Sequence, residues 1–79
     1  MRAAPSAVVD IRAEVWPMTY VRTKLALEAL EPGQVLEVRL RGEEPRRNVP
    51  ASAQEEGHTV LSLESQPDGS DVLLLLKGG

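Results

Sequence analysis

The sequence contains one unbroken apolar run, residues 72–76, which directly follows a turn-forming segment at residues 66–70. Pro67, Asp68 and Gly69 in that segment are typical of a hairpin turn. An apolar strand without alternation indicates either a central strand covered on both faces or a sheet with an apolar open face. The chain is therefore expected to fold around a sheet in which residues 72–76 form a principal strand.

Three further strands are predicted upstream. Residues 7–11 form a short, largely β-branched run, and residues 59–64 form another strand-like segment. Between them, residues 36–41 alternate apolar and charged side chains. This period of two predicts a strand with one buried face.

Two helices are predicted between the strands. The first begins at Pro17, which suits the first helical position, and ends before Pro32 and Gly33. Residues 42–45 are predicted to be a turn, and residues 49–56 the second helix. Pro50 is awkward there, so either that helix begins near it or its first turn is irregular. Gly57 is expected to end the helix in left-handed geometry.

The element order β-α-β-α-β-β predicts a single α+β domain over residues 1–79. Two helices of this length cover one face of a mixed four-stranded sheet, which gives a two-layer α/β sandwich. The chain contains no Phe, so Leu, Val and Ala must form the core. The ends, residues 1–6 and 77–79, are expected to be flexible.

Composition argues against several kinds of binding site and against a membrane span. A net charge of −3 argues against nucleic-acid binding, which usually needs a basic face. The absence of cysteine excludes disulfides and thiolate metal sites, and His58 is the only histidine. We therefore expect no metal and no cofactor. No apolar segment is long enough to span a bilayer, so a cytoplasmic protein without a membrane partner is expected.

The segment from Asp10 to Thr19 resembles the active-site entry of the TusA/SirA-like sulfurtransferase family. That family's pattern is roughly Asp-Leu-Arg-Gly, two residues, then Cys-Pro-x-Pro opening a helix. Asp10, Arg12 and Pro17 match the pattern, whereas Trp16 occupies the cysteine position and Thr19 the second proline position. The chain is also similar to the family in five later segments: residues 21–28, 30–38, 44–45, 48–51 and 57–60.

This resemblance implies a fold similar to the C-terminal domain of translation initiation factor three, with the last strand inside the sheet. It also accounts for Pro50, because the family has a proline there. The family's cysteine carries a persulfide received from a cysteine desulfurase, and the positive end of a helix favours its thiolate. The indole of Trp16 has no ionisable group and cannot carry that sulfur.

The resemblance therefore implies a sulfur-carrier homologue that acts as a non-catalytic protein-binding or regulatory module in sulfur relay or related metabolism. Its partner would be a sulfur-relay enzyme or carrier, and the candidate binding residues are Arg12, Trp16, Pro17, Met18 and Arg22. One alternative is a sulfurtransferase component that uses a cysteine supplied by a partner protein. Another is a nucleic-acid-binding module, which rests on fold analogy alone.

Several local questions stay open in the sequence. Trp16 is either a shield over the core edge or an exposed anchor for a partner. In the first helix, Thr23, Ala26, Leu27 and Leu30 are expected to face the sheet. We expect a second stripe, Met18, Val21, Leu25 and Ala29, to pack against the second helix, the alternative being an exposed docking patch.

The end of the chain and the sheet face raise two more possibilities. Ubiquitin-like sulfur carriers also end in Gly-Gly, but this sequence does not resemble a β-grasp fold, so Gly78 and Gly79 are expected to be a flexible tail. An apolar sheet face could also support a homodimer.

Overall fold

The computed structural model describes residues 4–79. Strand β1 spans Ala7–Asp10, helix α1 Met18–Glu28, strand β2 Val35–Leu40, helix α2 Glu43–Glu55, strand β3 Thr59–Ser65 and strand β4 Asp71–Leu76. The predicted order of elements is confirmed. Within the described residues, neither helix has the length or the apolar composition needed to cross a membrane.

The four strands form one mixed sheet in the order β1-β2-β4-β3. Strand β1 runs parallel to β2, whereas β4 runs antiparallel to both of its neighbours, β2 and β3. Helix α1 packs on β1 and β2, helix α2 packs on β3 and β4, and the two helices contact each other. The predicted two-layer sandwich is confirmed, and β4 is an interior strand covered by helices on one face.

The core lies between the sheet and the helices, and aliphatic side chains fill it. The alternation along β2 and β4 turns five completely buried side chains toward the helices: Leu36, Val38, Leu40, Leu73 and Leu75. The helices contribute Leu27, Val49 and Ala53. Since full burial of such a side chain is worth about 1.5–3 kcal/mol, these contacts dominate the stability of a domain this small.

Helix α2 begins at Glu43, so the predicted start at residue 49 and the predicted turn at residues 42–45 are wrong. Only Gly42 lies outside the helix, with a φ of 105° that favours glycine. Glu43 and Glu44 occupy the first turn, where the positive end of the helix dipole favours carboxylates. Pro45 also lies in this turn, where its missing N–H removes no intrahelical hydrogen bond.

Pro50 lies inside α2 rather than at its start. An interior proline removes one backbone hydrogen bond and normally destabilises a helix by about 3 kcal/mol. Val49 and Ala53 are completely buried on either side of it, so tertiary packing maintains the helix. At the other end Gly57, with φ 91°, terminates α2 as predicted, and the N–H of His58 donates to the carbonyl of Ala53 at 3.0 Å.

The chain ends, expected to be flexible at residues 1–6 and 77–79, make backbone contacts with the fold where they are described. Ser6 N–H donates to Val35 O at 2.7 Å, and Lys77 N–H donates to Gln34 O at 2.8 Å. Gly78 N–H donates to Nδ1 of His58 at 3.0 Å, and a Cβ at Gly78 would lie 2.0 Å from the Gly57 carbonyl oxygen. Residue 77 is thus held against the turn before β2 and residue 78 against the end of α2, and residues 1–3 lie outside the described part.

Helix α1 buries the stripe expected to face the sheet. Thr23 and Leu27 are buried there, and Ala26 and Leu30 are partly buried against the core. The expectation that the second stripe packs against α2 is wrong, because its large members, Met18, Val21 and Leu25, are all exposed. At 100° per residue this stripe lies opposite the buried one, so it faces solvent, and Tyr20 and Lys24 face α2 instead.

Two leucines of α1 test this assignment. Leu27 is 1% exposed and Leu25 is 60% exposed. Leu27→Ala should lower the free energy of unfolding by about 2–5 kcal/mol, because it removes buried methyl groups and leaves a cavity. Leu25→Ala, the matched control, should change it by less than about 0.5 kcal/mol. Urea unfolding followed by circular dichroism measures both values, and equal losses would contradict the orientation of α1.

Candidate functional site

The predicted site lies on the connection between β1 and α1. Ile11, which is almost completely buried, fixes the start of this connection, and its N–H donates to Arg39 O at 2.8 Å. Glu14 N–H then donates to Ile11 O at 3.1 Å, which makes a tight turn. The connection is thus tied to the core at one end and leads into α1 at the other.

Asp10 and Arg12 form a bidentate pair at the end of β1. Arg12 Nε lies 2.9 Å from Asp10 Oδ1, and Arg12 Nη2 lies 2.7 Å from Asp10 Oδ2. The backbone N–H of Arg12 also donates to Asp10 Oδ1, at 3.0 Å. These bonds hold the pKa of Asp10 well below its usual range and raise the pKa of Arg12. Because both side chains are exposed, the pair orients Arg12 and adds little to stability.

The same arginine reaches toward the β3–β4 hairpin. Asp68 Oδ2 lies 3.9 Å from Arg12 Nη1 and 3.5 Å from Arg41 Nη2. Ser70 donates to Asp68 Oδ1 from both its hydroxyl, at 2.6 Å, and its backbone N–H, at 2.9 Å. The hydrogen bonds from Ser70, followed by the nearby arginines, lower the pKa of Asp68. Arg12 is therefore part of an ion network that joins the end of β1 to the hairpin.

Trp16, two residues before the start of α1, stacks on Tyr20. The two ring centroids are 6.3 Å apart, with an angle of 27° between the planes, and Trp16 is 38% exposed. The Tyr20 hydroxyl donates to a carboxylate oxygen of Glu56, at the end of α2. Partial burial and this carboxylate raise the pKa of Tyr20. Trp16 thus covers the side chain that ties α1 to α2.

Five large apolar side chains are exposed just before α1 and along its outer face, and we call them the exposed apolar surface: Val15, Trp16, Met18, Val21 and Leu25. Val15 is 76% exposed, the most of any large apolar side chain that the structure describes. Clusters of this kind on small proteins usually mark interaction sites. Sequence reasoning missed Val15 and Tyr20, although the spacing of four residues from Trp16 to Tyr20 was a usable signal.

The five predicted site residues fall into two groups. Trp16, Pro17 and Met18 lie together at the start of α1, and all three are exposed. Arg12 and Arg22 line one shallow hollow, and Arg22 lies one helical turn after Met18, on the same side of α1. Arg22 Nη1 pairs there with Glu14 Oε1 at 3.5 Å. The structure therefore places an apolar surface beside a rim of paired charges.

Thr19, in the family's second proline position, is completely buried. Its backbone N–H, which a proline would lack, donates to Val15 O at 3.2 Å, and its hydroxyl oxygen has no hydrogen-bond partner. Helix α1 has no side-chain cap and no acidic residue in its first turn, so its positive end is not neutralised locally. Among residues 4–79 no three His, Asp or Glu side chains are grouped to hold a metal ion.

These features define a small α+β sandwich protein with exposed apolar side chains at and before its first helix. Residues 7–77 match the family model for sulfurtransferase TusA, and the chain belongs to the TusA family.

Curated relatives agree with this assignment. The chain is 43% identical over 70 residues to a candidate sulfur carrier protein of Archaeoglobus fulgidus, covering 89% of this chain and 80% of the relative. It is 36% identical over 66 residues to a similarly named protein of Bacillus subtilis, covering 84% of each.

The fold also matches a solved structure, the crystal structure of a SirA-like protein from Desulfitobacterium hafniense. The TM-score is 0.80 at 24% identity, and the match covers 92% of this chain and 99% of the other. This likeness supports the sandwich fold and its order of elements.

The Asp10–Arg12 pair gives a pH-dependent prediction. Arg12→Gln should raise the pKa of Asp10 toward its ordinary value, because the main hydrogen-bond donor is lost. Since the pKa of Asp10 is lowered in the folded state, the stability from this pair is present at neutral pH and is lost as the pH falls through the acidic range. Carboxyl NMR titration measures the shift. Arg22→Gln is the control and should leave Asp10 unchanged, and an unshifted Asp10 in Arg12→Gln would contradict the assignment.

Proposed function

We propose that this protein is a non-catalytic, protein-binding member of the TusA family that acts in sulfur relay. Its partner is a protein of that relay with a reactive cysteine, either a cysteine desulfurase or a sulfur carrier. The observation that supports this function best is Trp16 at the position of the family's cysteine, next to an exposed apolar surface. The names of the curated relatives support the pathway.

The side chain at residue 16 can take part in binding but not in sulfur transfer. A persulfide forms on a thiolate, and a thiolate at the start of α1 would be favoured by the positive end of the helix. Indole offers no such sulfur, but it offers a large flat apolar surface. The site is therefore suited to contact with a partner at the place where a family carrier would exchange sulfur.

The exposed apolar surface has the composition of an interface centre. Trp is enriched among residues that dominate binding energy, and such residues typically cost at least about 2 kcal/mol of binding when truncated. Stacking on Tyr20 holds the Trp16 ring, so less conformational entropy is lost on binding. Arg12 and Arg22, at the rim, would orient the partner rather than supply most of the affinity.

A regulatory role follows from this arrangement. A chain with the carrier fold and an intact binding surface competes with a cysteine-bearing carrier for the same partner. Because it accepts no sulfur at residue 16, it would lower the flux through that partner.

Partner binding provides the first test. The double variant Trp16→Ala/Leu25→Glu should weaken binding to the purified desulfurase or carrier of the same organism by at least about 100-fold, since it removes an aromatic anchor and introduces a charge. Isothermal titration calorimetry measures the affinity, and circular dichroism verifies the fold. Ala51→Glu, which places the same charge at an exposed position of α2 outside both proposed surfaces, should bind normally. A folded double variant with unchanged affinity would refute the surface.

Sulfur loading provides the second test. With a cysteine desulfurase and radiolabelled cysteine, the protein should take up no label, whereas Trp16→Cys should gain a label that reductant removes. The positive end of α1 would favour the new thiolate. Trp16→Ser is the matched control and should stay unlabelled. Label bound stably to the unaltered protein would overturn the non-catalytic assignment, and label appearing only in its complex would favour a cysteine supplied by the partner.

A further inference from the structure

The face of the sheet opposite the helices carries a mixed apolar and charged surface. The alternation that buries Leu73 and Leu75 turns Val72 and Leu74 of β4 to this face, where they are half-buried. The same alternation in β2 places Glu37 and Arg39 there. Among residues 4–79 no helix covers this face, and we call it the open face.

The apolar part of the open face forms a shallow hollow of about 420 Å³. Val72 and Leu74 lie in it, together with Leu61, which is 43% exposed, and Pro5 lines its edge. Val8 on β1, 53% exposed, extends the apolar area on the other side of β2. A small domain rarely leaves so many neighbouring apolar side chains on one face unless they meet a partner.

The charges of the open face are arranged in rows fixed by strand register. Glu37 lies opposite Leu74, and Arg39 lies opposite Val72. Arg39 Nε is 2.8 Å from Glu37 Oε2, so the two opposite charges form one pair beside the apolar centre. In the next strand, Ser62 shares the row of Leu74 and Glu64 shares the row of Val72.

We propose that the open face binds a second copy of this chain, face to face, about a two-fold axis that runs across the strands at the level of Val38. This rotation reverses the direction of each strand and exchanges the two rows. Glu37 of one copy then faces Arg39 of the other, and Val72 faces Leu74. The four charges form a closed ring of alternating sign, which is the self-complementarity that a two-fold interface requires.

The outer positions are compatible with the same axis. Glu64 faces Ser62 of the second copy, and Asp10 of β1 faces Val8, so no like charges meet. Stacked sheets lie about 10 Å apart, a distance over which facing Glu and Arg side chains can pair. Charge complementarity therefore favours a second copy as the occupant, and the interface is separate from the exposed apolar surface of α1.

Two single substitutions and their mixture test this interface. Glu37→Arg places four positive charges in the ring, and Arg39→Glu places four negative charges there. Each variant should dimerise at least about 100-fold more weakly than the unaltered protein, since opposed like charges cost several kcal/mol. Mixed together, the two variants should form a heterodimer, because every introduced charge then faces its opposite. Sedimentation equilibrium and native mass spectrometry measure the assemblies, and circular dichroism verifies the fold of each variant.

Three results would contradict the proposed dimer. An unaltered protein that stays monomeric at about 1 mM would overturn the proposal, as would folded single variants that dimerise normally or a mixture that forms no heterodimer. Trp16→Ala/Leu25→Glu should remain a dimer, because those residues lie on the helical side. Loss of dimers in that variant would place the interface on α1 instead.

Discussion

Burial of the interior strands β2 and β4 beneath two helices holds the molecule together. Their side chains that face the helices are completely buried, and with no Phe in the chain aliphatic packing supplies nearly all of the core. Each helix needs only one stripe to cover the sheet. The outer face of α1 and the far face of the sheet are thereby left outside the core, and both proposed interfaces lie on them.

The start of α1 is positioned by this packing through a short and well-anchored connection. Ile11 is buried beneath it, and Thr19 is buried one turn into the helix. Trp16 lies between these two fixed points and stacks on Tyr20, which also contacts α2. Trp16 is consequently presented at a defined place beside the other exposed apolar side chains of α1.

Local sequence patterns were sufficient to predict most of the strands and helices, but they did not predict which apolar side chains are exposed. Alternation in β2 and the hairpin turn before β4 are local features, so both strands were predictable. The start of α2 was misplaced because Pro45 and Pro50 both interrupt the sequence pattern, and only packing of Val49 and Ala53 shows that the helix continues through the second proline. The outer stripe of α1 was misassigned for a related reason. Apolar periodicity shows that one face of a helix is apolar, but it does not show whether that face packs against another element or faces solvent.

The order of elements, the aliphatic composition of the core and the absence of cysteine could all be established from the sequence, because each depends on residue identity or on short-range periodicity. The exposure of the α1 surface, the joining of Arg12 to Asp68 of the hairpin and the open face beside Glu37 and Arg39 emerged only in three dimensions. These features depend on contacts between segments far apart in the chain, and the relative placement of such segments is determined by how the helices and the sheet pack together.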